Sequence, residues 1–101
     1  MNGARLLTRT LRAAGVETVF SLSGNQIMPV YDAAIDDDLR IIHTRHEGGA
    51  VYMADGFAQA SGRLGVALVT AAPGFANALS ALYSARMNES PVLLLSGDSP
   101  V

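Results

Sequence analysis

Short, mostly apolar runs alternate along the chain with longer stretches in which apolar residues recur every three or four positions. The short runs are rich in aliphatic and β-branched residues, so they predict strands. These strands cover residues 17–22, 40–44, 66–70 and 92–96. The longer stretches predict helices. These helices cover residues 3–14, 26–37, 47–61 and 75–88.

The two later strands indicate how the sheet is built. The runs at residues 66–70 and 92–96 are continuously apolar rather than alternating. Such strands are typically buried on both faces, which implies a parallel sheet covered by helices. Repeated strand–helix–strand units with right-handed crossovers give an open α/β sheet. We therefore expect an α/β fold with an open, mainly parallel sheet of four strands and helices on both faces.

Glycine, proline and the apolar spacing define the predicted helices further. Gly15 and Gly62 follow the first and third helices, where glycine commonly ends a helix. Pro29 fits only in the first turn of the second helix. Apolar stripes predict the residues that face the core. For the first, third and fourth helices the spaced positions are Leu7, Leu11 and Ala14; Ala50, Met53, Ala54, Phe57 and Ala58; and Leu79, Leu82, Tyr83 and Arg86.

Composition narrows the class of protein. The chain has 101 residues, of which 50% are hydrophobic and 16% charged, so it suits one globular domain. The net charge is −2 and the basic residues are scattered, so neither a nucleic acid nor a membrane is expected as a partner. Without cysteine there is no disulfide, thiolate metal site or cysteine nucleophile.

The two ends of the chain raise separate questions. Arg5, Arg9 and Arg12 in an acid-free start also fit a transit peptide, but an amphipathic first helix is the favoured interpretation. We therefore expect a cytoplasmic protein. The sequence stops directly after the fourth strand, so we expect an incomplete domain of a longer protein.

The carboxyl ends of the strands mark the expected ligand crevice. In an open α/β sheet, ligands bind at the loops that follow these ends. The loops here read SGNQ, RHEGG, AAPGFAN and GDSP, and all are small or polar. Glu47 belongs to this layer, at the start of the third helix. Its carboxylate is therefore expected to face the crevice rather than the core.

Several familiar sites are not supported by the sequence. HEGGA begins like the zinc motif H-E-x-x-H, but Ala50 stands where the second histidine is needed. His43 and His46 would point to opposite faces, so structural hydrogen-bonding roles are favoured for both. The chain has no G-x-G-x-x-G, no P-loop and no G-x-S-x-G nucleophile motif. On residue type alone, Glu47 fits a first-turn glutamate stabilised by the helix dipole by ~0.3–1 kcal/mol.

Three longer motifs carry a family resemblance. They are R-H-E with the following A-x-x-M-A-D-G-F-A-x-x-S-G, then G-V-x-L-V-T, and then P-G-x-x-N. Together they resemble the N-terminal, pyrimidine-binding domain of thiamine-diphosphate enzymes, in the group of acetolactate synthase, benzoylformate decarboxylase, oxalyl-CoA decarboxylase and benzaldehyde lyase. The resemblance covers nearly the whole chain. It implies an enzyme that acts as a lyase, decarboxylase or carboligase on a 2-oxo acid or 2-hydroxy ketone.

The resemblance also implies roles for individual residues. Glu47 matches the catalytic glutamate that hydrogen-bonds N1′ of the cofactor's aminopyrimidine ring and shares a proton with it. Pro73, Gly74 and Asn77 match the loop that borders this ring. For Asn77, a hydrogen bond to a local carbonyl inside a helix is an equal alternative.

The loop after the first strand is implied to face the substrate. Ser23 and Gly24 match a proline–glycine pair near the reacting substrate, and Asn25 and Gln26 follow, Gln26 at a substrate-facing position of the lyases. This chain departs from the pattern, since Ser21 and Ser23 replace glycine and proline. AAPGFAN likewise replaces the S-G-P-G-A-T-N of acetolactate synthases, which puts a strict acetolactate synthase assignment in doubt.

The resemblance finally implies what lies outside these residues. In the family, a separate domain with Gly-Asp-Gly binds the diphosphate and Mg²⁺, and it comes from another subunit of a homodimer or homotetramer. This chain contributes no metal ligand. Two alternatives remain at this stage: a non-catalytic interaction or regulatory module with the same fold, and a flavodoxin-like domain that binds flavin.

Overall fold

A computed structural model of the chain describes residues 2–98, which form four α-helices, one 3₁₀ turn and four strands. The helices are α1 (Gly3–Ala13), α2 (Met28–Asp36), α3 (Glu47–Ser61) and α4 (Pro73–Met87). The 3₁₀ turn covers Asn25–Ile27. The strands are β1 (Thr18–Ser21), β2 (Arg40–His43), β3 (Gly65–Val69) and β4 (Val92–Ser96). The predicted order of helices and strands is thus confirmed, with most boundaries shifted by one or two residues.

The strands form a four-stranded sheet in the order β2-β1-β3-β4, and every neighbouring pair is parallel. Helices cover both faces. One apolar cluster joins α1 and α2 to Val19, Val66 and Leu68, and a second joins α3 and α4 to Phe20 and Ala67. Because side chains alternate along a strand, neighbouring residues of β1 and β3 serve opposite faces. The predicted fold class is confirmed.

The first helix layer, α1 with α2, packs through large aliphatic side chains. Leu11 is 5% exposed, and Ile27, just before α2, is 2% exposed. Leu7 and Val30 pack at the edge of the same cluster. Ala14, predicted to face inward, is exposed because it lies beyond the last residue of α1.

The second helix layer, α3 with α4, packs through alanine. All six inward alanines are at most 2% exposed: Ala50, Ala54, Ala58, Ala78, Ala81 and Ala85. The predictions for Met53, Leu79 and Tyr83 are therefore wrong, since these side chains are 46%, 44% and 64% exposed. Alanine stripes let two helices approach closely, and the large apolar residues then fall on the outer side. Arg86 is exposed as well.

The two later strands differ in burial. Every residue of β3 is buried, as its continuous apolar pattern predicts. The same prediction for β4 is wrong, because β4 is an edge strand of the described sheet and Leu93 is 37% exposed. Part of the fourth predicted loop, GDSP, lies outside the described residues.

Local sequence signals set the helix ends. Gly62 follows α3 with φ of 71°, a left-handed conformation that glycine adopts without strain. Pro29 lies in the first turn of α2, as predicted. The fourth helix begins at Pro73 rather than Phe75, since proline also favours the first turn of a helix.

Charged and polar side chains tie neighbouring elements together. The last residue of α2 pairs with α1 at the surface: Arg5 Nη2 lies 2.7 Å from Asp36 Oδ2. On the other side of the sheet, Asp55 of α3 is buried and accepts hydrogen bonds from Gln59 Nε2 at 2.9 Å and Asn88 Nδ2 at 3.4 Å. Among residues 2–98, no helix combines the length and the apolar character that crossing a membrane requires.

Candidate functional site

The carboxyl ends of the four strands lie at one edge of the sheet, because all strand pairs are parallel. The chain leaves that edge after Ser21, His43, Val69 and Ser96. The described parts of the four predicted crevice loops therefore share this edge. We refer to it as the crevice edge.

Glu47 is the first residue of α3, at this edge. The preceding residue, His46, is extended, and its Nδ1 accepts a hydrogen bond from the Gly48 N–H at 2.9 Å. This cap gives His46 the structural role that the sequence favoured. The Glu47 side chain is buried, with 9% of the residue exposed.

Asn77 of α4 holds one oxygen of this carboxylate. Its Nδ2 donates to Glu47 Oε1 at 3.2 Å, across the contact between α3 and α4. The Asn77 side chain therefore bonds Glu47 and not a local carbonyl, which was the alternative. No described residue donates to the other oxygen, Oε2, and no described cation pairs with the carboxylate. Oε2 thus has no partner among residues 2–98.

Pro73 and Gly74 open α4 beside this oxygen. A Cβ added at Gly74 would lie 3.4 Å from Glu47 Oε2 and 2.8 Å from Thr70 Cγ2. The second distance is too short for a real contact, so only glycine fits here without displacing a neighbour. The structure thus brings Glu47, Gly74 and Asn77 together, with Pro73 adjacent in sequence.

Ala72, directly before Pro73, has a conformation that the sequence did not reveal. Its φ is +52° and its ψ is −101°, in a region that residues with a Cβ rarely adopt. The strain lies in the loop expected to border the cofactor ring, and strained residues concentrate at functional sites. The acetolactate synthase pattern S-G-P-G has glycine at this position, and that contrast was the available signal.

The predicted substrate loop, Ser23 to Gln26, follows β1 at the same edge. Gly24 has extended backbone that any residue could adopt, yet a Cβ there would lie 2.5 Å from both Cβ and Oγ1 of Thr70. The Gln26 side chain accepts a hydrogen bond through Oε1 from Thr70 Oγ1 at 2.7 Å. Ser23 and Asn25 are exposed, and no described side chain bonds to either of theirs.

Sequence reasoning assigned no role to Thr70, the first residue after β3. It contacts the loops after β1 and β3, and its carbonyl oxygen accepts a hydrogen bond from Ser96 Oγ at 3.3 Å. The signal in the sequence was its place as the last residue of G-V-x-L-V-T, directly at a strand's carboxyl end.

The serine that replaces the family's glycine at the end of β1 is part of a hydrogen-bond network. Ser21 is fully buried, and its Oγ donates to the Leu68 carbonyl at 2.7 Å. Tyr31 donates its hydroxyl to Ser21 Oγ at 2.6 Å and packs its ring against His43. Burial raises the pKa of Tyr31, and the hydrogen bond to Ser21 opposes that rise. This serine therefore braces the sheet rather than facing a ligand.

A cavity of about 330 Å³ opens between the loops after β3 and β4. It is lined by Ala72, Phe75, Ser96, Gly97 and Asp98. This open volume lies at the crevice edge next to the start of α4, but Glu47, Gly74 and Asn77 are not among the residues that line it.

Known proteins resemble this chain over almost its whole length. An acetolactate synthase large subunit of Mycobacterium tuberculosis is 41% identical over 100 residues, and the isozyme 2 large subunit of Escherichia coli is 43% identical over 97 residues. The 2-hydroxyacyl-CoA lyase 2 of Homo sapiens is 44% identical over 96 residues. These alignments cover 99%, 96% and 95% of this chain.

The same alignments cover only 18%, 18% and 15% of the three relatives, so the chain spans less than a fifth of their length. All 101 residues match the family described as "Thiamine pyrophosphate enzyme, N-terminal TPP binding domain". The resemblance inferred from the three motifs is thus confirmed. The chain belongs to the thiamine pyrophosphate enzyme family, as its N-terminal TPP-binding domain.

Proposed function

We propose that this chain supplies the pyrimidine-binding half of a thiamine-diphosphate site, in an enzyme that makes or breaks a carbon–carbon bond next to a carbonyl group. One observation carries the proposal: Glu47 is a buried carboxylate at the crevice edge, with Asn77 on Oε1 and no described donor on Oε2. A scaffold without a ligand has no need of a buried acid with an open oxygen, because burying an unpaired charge is costly.

The surroundings of Glu47 fit an aminopyrimidine ring. A protonated ring nitrogen is a donor, and Oε2 is an acceptor without a described partner. Gly74 keeps the space beside Oε2 free of a side chain. When bound, thiamine diphosphate supplies the electron sink for cleavage or formation of a bond next to a carbonyl carbon.

The residues of this chain have distinct tasks in that scheme. Glu47 Oε2 holds a proton shared with the ring nitrogen N1′, and so acts as a general acid–base group at one remove from the reacting bond. Asn77 fixes the rotation of the carboxylate through Oε1. Pro73 and Gly74 set the distance between α4 and the ring. Ser23, Gly24, Asn25 and Gln26 form the side of the crevice nearer the substrate.

The remaining half of the site is proposed to lie in a separate domain of a longer protein. That domain would bind the diphosphate and Mg²⁺, in a partner subunit of a homodimer or homotetramer. The outer side of α3 and α4 supports such a partner, because Tyr52, Tyr83 and Met87 are 54%, 64% and 68% exposed. Contiguous exposed apolar residues commonly mark an interface.

The substrate class follows the names of the relatives only in part. Acetolactate synthases and a 2-hydroxyacyl-CoA lyase are about equally similar to this chain. We therefore propose a 2-oxo acid or a 2-hydroxy carbonyl compound as substrate, processed by lyase, decarboxylase or carboligase chemistry. A cytoplasmic location, with neither nucleic acid nor membrane as partner, stays a prediction.

The substitution Glu47→Gln tests the role of the carboxylate in the full-length protein. The amide keeps an oxygen for Asn77 but cannot share a proton at Oε2, so thiamine-diphosphate-dependent turnover should fall by about 10²- to 10⁴-fold. Steady-state kinetics with saturating cofactor and Mg²⁺ measures this. Glu17→Gln is the matched control, since that glutamate is exposed and pairs only with Arg63 at 3.6 Å.

Thermal unfolding with and without thiamine diphosphate completes this test. Wild-type turnover in Glu47→Gln would defeat the catalytic role, and a cofactor without effect on the wild-type melting temperature would favour the non-catalytic module instead. The 101-residue chain by itself should show no turnover of pyruvate with the cofactor and Mg²⁺, because half of the site is missing. Turnover by that chain would contradict the two-domain proposal.

A further inference from the structure

The strongest unassigned feature is the position of Thr70 between the two halves of the crevice edge. On one side its Oγ1 donates to Gln26 Oε1 at 2.7 Å. On the other, its Cγ2 lies 2.8 Å from the position that a Cβ of Gly74 would take, and that same position is 3.4 Å from Glu47 Oε2. Thr70 therefore contacts the substrate loop on one side and lies beside Gly74, the glycine next to the Glu47 carboxylate, on the other.

Thr70 leaves no space for a Cβ at either neighbouring glycine, Gly24 or Gly74. A Cβ at Gly24 would lie 2.5 Å from Thr70 Oγ1 and Cβ, so the loop after β1 packs directly on this side chain. The backbone of Gly24 is extended, so glycine is needed there for space and not for conformation. Thr70 thus uses its methyl group against α4 and its hydroxyl against the substrate loop.

Gln26 is held from a second direction. A Cβ at Gly97 would lie 2.9 Å from Gln26 Cβ and 3.0 Å from Ile27 Cγ2. The loop after β4 therefore packs on the stem of Gln26 while Thr70 holds its tip. Ordering a glutamine side chain costs conformational entropy. Because these two contacts already order Gln26 in the folded chain, less entropy is lost when a ligand binds.

The hydrogen bond also selects what Gln26 can recognise. An amide group has one acceptor oxygen and two N–H donors. The bond from Thr70 takes one of the two lone pairs of Oε1 and fixes which end of the amide faces Thr70, and no described residue accepts from Nε2. Both N–H groups of Nε2 are therefore free of a described acceptor, and they complement a carbonyl, carboxylate or other acceptor oxygen.

We propose that Thr70 is a positioning residue for substrate selection: its hydroxyl locks Gln26 as a hydrogen-bond donor to an acceptor oxygen of the substrate. This inference rests on the proposed function, and it deepens it by naming the group that the crevice recognises. The Thr70 methyl group separately keeps Gly74 and Glu47 in place for the cofactor.

The kinetic test uses Thr70→Val in the full-length protein, because valine keeps the shape and removes the hydroxyl. The KM for the 2-oxo acid should rise roughly three- to tenfold, the effect of one hydrogen bond, while kcat and the half-saturating thiamine diphosphate concentration stay near wild type. Thr70→Ser keeps the hydroxyl and should restore the KM. Gln26→Glu keeps an acceptor for Thr70 but has no donor, so it should raise the KM at least as much as Thr70→Val.

A spectroscopic test needs no activity. The 101-residue chain contains two glutamines, Gln26 and Gln59, so glutamine-selective ¹⁵N labelling of this chain gives two side-chain ¹⁵N signals, each with a pair of amide protons. Thr70→Val should shift the Gln26 signal and leave that of Gln59, which donates to Asp55, unchanged. Thr70→Ser should leave both near wild type.

The outcomes separate the two proposals. An unchanged Gln26 signal, or an unchanged KM in Thr70→Val, overturns the positioning role. A wild-type enzyme without thiamine-diphosphate-dependent turnover defeats the proposed function, and the amide signals then still decide whether Thr70 holds Gln26. A rise in the cofactor requirement without a rise in KM would assign Thr70 to the cofactor side and overturn its role in substrate selection.

Discussion

The two helix layers of this domain cover the same sheet in different ways. The α1/α2 layer packs on the sheet through large aliphatic side chains such as Leu11, which is 5% exposed, although Leu6 and Ile35 on its outer side are 59% and 78% exposed. The α3/α4 layer turns alanines inward and leaves Leu79 and Met87 44% and 68% exposed. Both layers leave large apolar residues on their outer sides, so the difference lies in the inward contacts, which are aliphatic in the first layer and mainly alanine in the second, the layer that carries Glu47 and Asn77.

The largest expected effect on stability comes from the α1/α2 layer. Leu11→Ala should destabilise the chain by about 2–5 kcal/mol, because it leaves a cavity among residues that cannot fully collapse into it. Urea denaturation monitored by circular dichroism measures the change in the free energy of unfolding. A loss below about 1 kcal/mol would mean that the Leu11 side chain is not closely packed in the α1/α2 layer.

The second effect should be stabilising, and it lies in the layer of the site. Ala72→Gly should raise the free energy of unfolding by about 1 kcal/mol, because glycine removes the strain of the positive φ. The same denaturation experiment detects it. Ala71→Gly, at a residue of the same loop without positive φ, is the matched control and should destabilise. Equal effects of both substitutions would contradict the assigned strain.

A third effect should be present at neutral pH and disappear in acid, and it concerns the attachment of α3 to the loop after α4. The Ser90 hydroxyl and then Gln59 hold the pKa of Asp55 below its usual value of 3.8, and the Asn88 amide adds to this against the opposing effect of desolvation. Ser90 Oγ is buried and has no described hydrogen-bond partner of good geometry. It therefore lowers the pKa of Asp55 as a nearby hydroxyl dipole.

Because the folded pKa is the lower one, Asp55 stabilises the fold fully above pH 3.8, and this contribution is lost as the pH falls through the folded pKa. Asp55→Asn should therefore be less stable than wild type at pH 7, and the difference should shrink as the pH drops below about 4. Denaturation at a series of pH values tests this. A difference independent of pH would remove the charge from the explanation.

The smallest effect on the chain itself should come from the outer side of α4. Leu79→Lys should change the free energy of unfolding by less than about 0.5 kcal/mol, because the side chain is already 44% exposed. In the full-length protein the same substitution should weaken subunit assembly, which sedimentation velocity measures. A large loss of stability in the chain alone would show that this face is not an interface.

The fold and the centre of the site were largely predictable because their signals are local. Strands and helices followed from apolar periodicity, and Glu47 followed from its place where β2 gives way to α3. The orientation of the α3/α4 layer was not predictable, because alanine and large apolar residues both recur at helical spacing and the pattern does not say which stripe faces the sheet. Packing decided that, through helices close enough to require alanine.

The parts of the site that were missed depend on contacts between distant segments. Thr70 and Gln26 are 44 residues apart, so no window of sequence contains their hydrogen bond. The positive φ of Ala72 likewise depends on how the loop joins β3 to α4. The predictions for Pro73, Gly74, Ser23 and Gly24 remain predictions of function, although the structure brings these residues to one edge.

The close seating of α3 on β3 has a consequence for how such proteins diversify. A Cβ at Gly65 would lie 2.1 Å from the Ala54 carbonyl oxygen, so the middle of this helix rests on the strand backbone. Glu47, at the start of this helix, is therefore held in position by the sheet and not by the loop that carries Gln26. Under the proposed function, substitutions of the exposed residues Ser23 and Asn25 can therefore change the substrate side of the crevice without moving Glu47.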